Sequence, residues 1–305
     1  MAQASGKRLI LSLLWVFAWP LLASADDLPA AQLMIREKVI GPGSVEVLST
    51  GTRPFSGFVM PSALAAEGDT LFAADQGLQR IYRIEAGPGE LHPLQPLDGQ
   101  TPRLRSNIAR SWFLVPGTGN EILQFGPDGD ARGEFSSIEY TQAVDVVRER
   151  QSGRIWIFDR GGSMHEFSPL GSLLRSHRIL ADRGAAIESA IAGRHFAYAL
   201  DRSCACVIEL DSHGLPLRLI ADGEVEFARD IAVDEFDRIW VTYDDPTRVE
   251  LIDTDEKLHV LDLHSVGLNQ VTALAVADGR LFVADPTQAA VIAFRLLPPN
   301  SQSRH

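Results

Sequence analysis

A single phrase recurs along this chain and leaves little freedom for its fold. An apolar strand ends in an acidic residue, a turn follows, and a second apolar strand begins. In order the copies read Leu71-Phe72-Ala73-Ala74-Asp75, Ile155-Trp156-Ile157-Phe158-Asp159, Phe196-Ala197-Tyr198-Ala199-Leu200-Asp201, Ile239-Trp240-Val241-Thr242-Tyr243-Asp244 and Leu281-Phe282-Val283-Ala284-Asp285. A degenerate copy, Trp112-Phe113-Leu114-Val115-Pro116, fills the gap after the first. The anchors fall at 75, 116, 159, 201, 244 and 285, at intervals of 41, 43, 42, 43 and 41. Self-similarity at so even a period is the mark of a repeat architecture.

Each copy has the same neighbours. A first strand precedes it, as at Ser62 to Ala66, Gln142 to Val147, Arg229 to Val233 and Thr272 to Val276. A third strand follows, as at Ile81-Tyr82-Arg83-Ile84 and Val207-Ile208-Glu209-Leu210, alternating apolar with polar as half-buried strands do. Turns such as Gly126-Pro127-Asp128-Gly129 and Asp211-Ser212-His213-Gly214 lead to a weaker fourth strand, for example Leu217 to Ile220 or His259 to Leu263. Four short strands per repeat make a propeller blade. The expectation is an all-β, six-bladed β-propeller over residues 55–297. The last copy lacks its fourth strand. The N-terminal segment, residues 26–54, is expected to supply it, through Leu33 to Ile40 or through Ser44 to Leu48, and so close the ring without an open edge. Residues 298–305 form a polar tail expected to be disordered.

The opening residues speak to compartment. Lys7 and Arg8 precede an apolar run from Leu9 to Leu22, and Ala23-Ser24-Ala25 offers small residues for cleavage. This is the layout of a secretory signal over residues 1–25. The run is too short for a membrane span. The expected location is periplasmic or secreted. The leader holds two of the 28 basic side chains and none of the 40 acidic ones, so the remainder carries a net charge of about −14. Such a chain repels nucleic-acid phosphate, and its acidic surface favours basic or cationic partners. With two cysteines only, it is no disulfide scaffold.

Ala228-Arg229-Asp230-Ile231-Ala232-Val233-Asp234 with Arg238-Ile239-Trp240-Val241, and Leu71 to Asp75 with Arg80-Ile81, resemble NHL repeats. The resemblance spans roughly residues 55–296 and implies a member of the TolB-like six-bladed propeller superfamily. Its members include binding platforms, lyases and lactonases, so it implies the fold and leaves the function open. Gluconolactonase-like propellers hold a divalent cation with a Glu, an Asn and an Asp around the channel. The resemblance would align that Asp with Arg229, with Asp230 one place late, and a one-residue slip turns a side chain to the other face. Ile187 stands where Asn is needed, and no Glu lies within Phe58 to Pro61. Glu188 and Asp230 remain the carboxylates from which a different oxygen site could be built.

The repeated aspartates are read as turn caps and Trp156 and Trp240 as core. The starts of the first strands line a propeller's channel mouth, which places Ser62, Asn107, Gln142, Glu188, Arg229, Asp230 and Thr272 there as candidate ligand-binding residues. The histidines show no close pairing and are read as solvated, so no metal site is assigned. Cys204-Ala205-Cys206 falls in a turn of the fourth blade. Three readings stand open: a disulfide, a soft-metal pair, or small turn residues without a role. The functional expectation is an exported, monomeric, non-catalytic binding module for a protein or small ligand, without a cofactor. The alternative is a metal-dependent lactonase-like hydrolase using a divalent cation at the channel.

Overall fold

The computed structural model describes residues 33–40, 57–85, 90–99, 102–107, 111–117, 120–140 and 142–299. Every sheet in it has four antiparallel strands. The chain opens with β1 (Met34–Ile40). Blade 1 is β2 (Pro61–Glu67), β3 (Thr70–Asp75), β4 (Arg80–Glu85) and β5 (Leu91–Pro96). Blade 2 is β6 (Arg103–Asn107), β7 (Ser111–Val115), β8 (Glu121–Phe125) and β9 (Ala131–Ser136). Blade 3 is β10 (Ala143–Arg148), β11 (Ile155–Asp159), β12 (Ser163–Phe167) and β13 (Leu173–Arg178). Blade 4 is β14 (Ile187–Ala192), β15 (Ala197–Asp201), β16 (Cys206–Leu210) and β17 (Pro216–Ile220). Blade 5 is β18 (Ala228–Val233), β19 (Ile239–Tyr243), β20 (Val249–Ile252) and β21 (Leu258–Val260). Blade 6 is β22 (Ala273–Ala277), β23 (Arg280–Asp285) and β24 (Ala290–Leu296), with β1 as its outermost strand. The six-bladed propeller expected from the repeat is the observed fold.

The ring closes through that last sheet. Met34 pairs with Leu296 and Ile40 with Val291, and the Leu297 N–H donates to the Leu33 carbonyl at 2.8 Å. Leu33 to Ile40 is therefore the closing strand. Ser44 to Leu48, residues 1–25 and residues 300–305 lie outside the described residues.

Burial explains why the second strands read as unbroken apolar runs. A blade's inner strands are covered on both faces by the next blade on each side, as in a parallel sheet under helices. β7, β11, β15 and β19 are buried at every position. The apolar side chains fall into six clusters, and each unites two successive blades. Trp112 with Phe72 joins blades 1 and 2, and Phe113 with Phe167 joins blades 2 and 3. Trp156 with Ile208 joins blades 3 and 4, and Tyr198 with Val241 joins blades 4 and 5. Trp240 with Phe294 joins blades 5 and 6, and Phe282 with Phe58 returns from blade 6 to blade 1. The third strands depart from the expected half-burial in blades 4 and 5, where β16 and β20 are buried throughout. Their polar positions, Glu209 and Glu250, are matched by Arg218 and Arg248.

The anchor aspartates tie turn to turn within a blade. Asp75 accepts the N–H groups of Val59 at 2.6 Å and Leu78 at 2.9 Å, and Asp201 those of Ala186 and Ser203, both at 2.8 Å. Asp285 takes the N–H groups of Asn269 and Thr287, both at 2.9 Å. In each case one carboxylate holds the loop entering the first strand against the turn leaving the second. Burial alone would raise the Asp285 carboxyl, but the N–H of Asn269 and the hydroxyl and amide donors of Thr287 and Gln288 hold it below the usual carboxylate range. Asp159 caps its own turn through Ser163 N–H at 2.8 Å. Asp244 differs: it is half-exposed and meets the Arg202 guanidinium at 3.0 Å.

Asp285→Ala strands several buried donors and should cost about 2–4 kcal/mol in chemical denaturation. Asp244→Ala should cost under about 1 kcal/mol, because its pairing is at the surface. Equal losses at the two anchors would contradict this division.

Candidate site at the channel mouth

The inner strands β2, β6, β10, β14, β18 and β22 surround a central channel, and their first residues define its mouth. In four of them the pairing with the second strand slips by one residue at the same level. The slip falls between Pro61 and Ala63, Ala143 and Asp145, Ile187 and Ser189, and Ala228 and Asp230. The extra residues are Ser62, Val144, Glu188 and Arg229. A bulge bends its strand and re-aims its side chain. Here it turns Ser62, Glu188 and Arg229 into a cavity of about 250 Å³ at the mouth.

The bulge also removes the objection raised from strand alternation. Arg229 and Asp230 are consecutive, yet both line the cavity, because Arg229 is the residue the ladder skips. Gln142 and Thr272 line it too. The Thr272 hydroxyl donates to the Pro61 carbonyl at 2.9 Å, so it also fastens blade 6 to blade 1. Of the seven candidate residues, Asn107 alone is not brought there. It ends β6, opposite Ser111, about 13 Å along the strand from Arg103. Arg103 holds the mouth position in blade 2.

Beneath the mouth lies an ionic network that the sequence reading did not find. Its centre is Arg105, 5% exposed. Its Nε and Nη2 donate to the two Asp145 carboxylate oxygens at 2.8 and 2.5 Å, a fork-on-fork pair. The same Nη2 reaches Asp230 Oδ1 at 2.6 Å and Ser189 Oγ at 3.0 Å. One guanidinium therefore joins blades 2, 3, 4 and 5. Asp145 is fully buried and accepts two more donors, the N–H groups of Val146 and Ala190, both at 2.8 Å.

A second arginine lies above the first. Arg103 Nη2 donates to Glu188 at 3.1 Å and to the Arg229 carbonyl at 2.9 Å, while Nη1 meets Asp230 at 3.1 Å. Arg202 approaches the other Glu188 oxygen at 3.3 Å. Burial alone would push the Asp230 carboxyl up. The Arg105 and Arg103 charges, with hydrogen bonds from Arg105 and Ser189, instead pull it down to about 2. Burial opposes the charge on Arg105, and Asp145 and Asp230 overcome it, so this side chain stays protonated.

The network stands between two spaces. Leu64, Leu104 and Arg105 line both the mouth cavity and a larger one of about 680 Å³ on the opposite side. The larger cavity is walled by the later residues of the inner strands, such as Val147, Ile191, Val233 and Val276.

The remaining candidates lie elsewhere. The Sγ atoms of Cys204 and Cys206 are joined in a disulfide, with Cα atoms 5.2 Å apart. Together with Asp201 they form the group of potential metal-ligating atoms found among the described residues. His165 is buried, contrary to the solvated reading. Its Nε2 meets Asp159 at 3.2 Å and its Nδ1 meets Ser176 Oγ at 2.9 Å, bonds that tie β12 to its neighbours on both sides.

Arg105→Met leaves Asp145 buried without its cation and should destabilise the protein by about 3–5 kcal/mol at neutral pH. Asp145→Asn in the same chain should recover part of that loss. The acid limb follows from Asp230. A carboxyl with a depressed folded pKa contributes stability above its unfolded pKa of about 4 and loses it as pH falls towards 2. Denaturation between pH 4 and pH 2 should show a smaller fall in stability for Asp230→Asn than for the parent; identical slopes would refute the assignment.

No protein-family model matches the sequence, and no curated protein matches it. Solved structures do share the fold. A protein of unknown function from Bacteroides thetaiotaomicron is similar at 11% identity with a TM-score of 0.60, over 79% of this chain and 70% of that one. Virginiamycin B lyase from Staphylococcus aureus is similar at 9% identity with a TM-score of 0.57, over 79% of this chain and 98% of that one. A streptogramin B lyase is similar at 11% identity with a TM-score of 0.57, over 88% of this chain and all of that one. At such identities the likeness establishes a shared propeller architecture and nothing finer.

Proposed function

We propose that this chain is an exported, non-catalytic, NHL-like propeller that binds a small ligand in the channel-mouth cavity. One observation carries the reading: the carboxylates of the mouth are already satisfied by arginines of the same ring. A hydrolase of the lactonase kind needs oxygen ligands converging on an open point. Glu188 and Asp230 do converge, but the Arg103 guanidinium sits between them, 3.1 Å from each. The residues present therefore do not fit a divalent cation.

The lyase named among the structural neighbours suggests a second activity, and the mouth offers it little. Proton abstraction needs a base whose pKa lies near the working pH. The titratable side chains lining the cavity are arginines, Glu188 and Asp230, and Asp230 is held far too acidic to serve. What the cavity does offer is a fixed polar floor, mixed apolar and polar walls, and side chains that differ from blade to blade. These are features of a recognition site. The leader reading supplies the compartment.

Calorimetric titration with Ca²⁺, Mg²⁺ and Mn²⁺ should give no saturable binding. One divalent ion per chain, lost in Glu188→Gln, would restore the hydrolase reading. The N-terminus of protein recovered from the cell envelope should be Asp26, and a chain still beginning at Met1 would remove the export step.

A further inference from the structure

The mouth cavity is lined by four arginines and two carboxylates, in a chain that is acidic overall. Within the network, Arg103, Arg105 and Arg202 face Asp145, Glu188 and Asp230, three cations against three anions, with Asp244 sharing Arg202 at the rim. With Asp244 the anions of the network number four, and Arg160 and Arg229, which also line the cavity, bring the cations to five. Neither of these two guanidiniums has a hydrogen-bond or ion-pair partner among the described residues. A protein with an excess of acidic side chains has thus placed two arginines without a described partner over one recess. Charges across the surface are screened beyond about 8 Å at physiological ionic strength. The arginines that line the recess are among the charges nearest to an occupant.

Both are positioned by the fold. Arg229 is the bulge residue of β18, and its carbonyl is pinned by Arg103 at 2.9 Å. Arg160 follows the capping residue Asp159, and its N–H donates to the Gln142 carbonyl at 3.1 Å, which ties it to the mouth end of blade 3. Around them the wall is mixed, with more polar than apolar surface, and Ala63, Leu104, Val115, Pro116, Ala143 and Ala273 supply its apolar part. A volume of about 250 Å³ holds about eight waters, so the occupant has on the order of eight non-hydrogen atoms.

We infer that the mouth cavity binds a small organic acid, whose carboxylate is held by Arg160 and Arg229 and whose short carbon body lies against the apolar part of the wall. This rests on the binding-module reading and adds the chemical class of the ligand. Guanidinium is suited to the task because it is planar, always charged and able to donate two parallel hydrogen bonds to a carboxylate. An inorganic anion would satisfy the arginines but make no use of the wall. The occupant inferred for this recess is anionic, unlike the cationic partners expected of the acidic surface.

The test uses four probes, succinate, butyrate, inorganic phosphate and putrescine, each at matched ionic strength with chloride as the reference. Binding is read by calorimetry and by the rise in Tm. Succinate and butyrate should bind. Arg229→Gln should weaken them about tenfold or more, and the Arg160→Gln/Arg229→Gln pair should abolish binding. The ligand-free Tm of the variants should stay close to that of the parent, because neither side chain has an internal partner to lose. Phosphate binding as tightly as succinate would overturn the organic-acid assignment. Carboxylate binding that survives in the double variant would overturn the role of the two arginines. Putrescine binding in place of the acids would overturn the anion inference and leave the recess reading intact. A site filled by a divalent cation and by none of the four probes would instead bring down the binding-module reading itself.

Discussion

Everything in this molecule depends on each blade having two neighbours. A four-stranded sheet with an apolar surface on both sides cannot rest against a single partner, and six such sheets leave no face bare only when they form a circle. The six apolar clusters, one between each successive pair of blades, are the physical content of that circle. The sixth, uniting Phe282 of blade 6 with Phe58 of blade 1, forms only when the last repeat returns to the first. The strand Met34–Ile40 then covers β24, which would otherwise present an unpaired edge.

The same circle creates the site. Inner strands that converge on an axis bring residues from distant parts of the chain within hydrogen-bonding range. Arg105, Asp145, Ser189 and Asp230 each come from a different blade. Removing several charges from water costs several kcal/mol each, and their attraction offsets this only when the geometry is good and the leftover donors are used. Asp145 meets that condition with bonds on both oxygens. The network is better read as fixing the arrangement of the mouth than as a large source of stability. It also consumes the carboxylates that a metal-dependent propeller would need.

The blades were legible because their constraint is local and repeated: a buried second strand, then a carboxylate that must cap a turn. Asp75, Asp201 and Asp285 do this through the same kinds of contact, so one pattern served for all. Asp244 keeps the residue type and loses the burial, which no pattern in the sequence reveals. The mouth was legible where the anchor was clear and misplaced where it was not. Blade 2 ends its second strand in Pro116, and Asn107 stands late for the start of its first strand, which begins at Arg103. The interval that separates Ser62 from Asp75, Glu188 from Asp201 and Thr272 from Asp285, counted back from Pro116, leads to Arg103. The bulges were not legible, because a slipped pairing is a property of two strands and leaves no trace in either one. Without them Arg229 and Asp230 read as pointing opposite ways. Arg105 and Asp145 were missed for a related reason: their chemistry appears only when four separated strands meet.

The pairing of β1 with β24 sets an order of events for a chain being made. Met34 is made long before its partner, since it must wait for Leu296. Contacts of such long sequence separation are slow to form. Until the final repeat is synthesised, the growing polypeptide carries an unmatched strand at one end and an uncovered blade at the other. A product cut short anywhere before β24 keeps both defects for good. Premature termination in this protein therefore yields adhesive fragments, not smaller working propellers, and five-sixths of the sequence does not amount to five-sixths of the molecule.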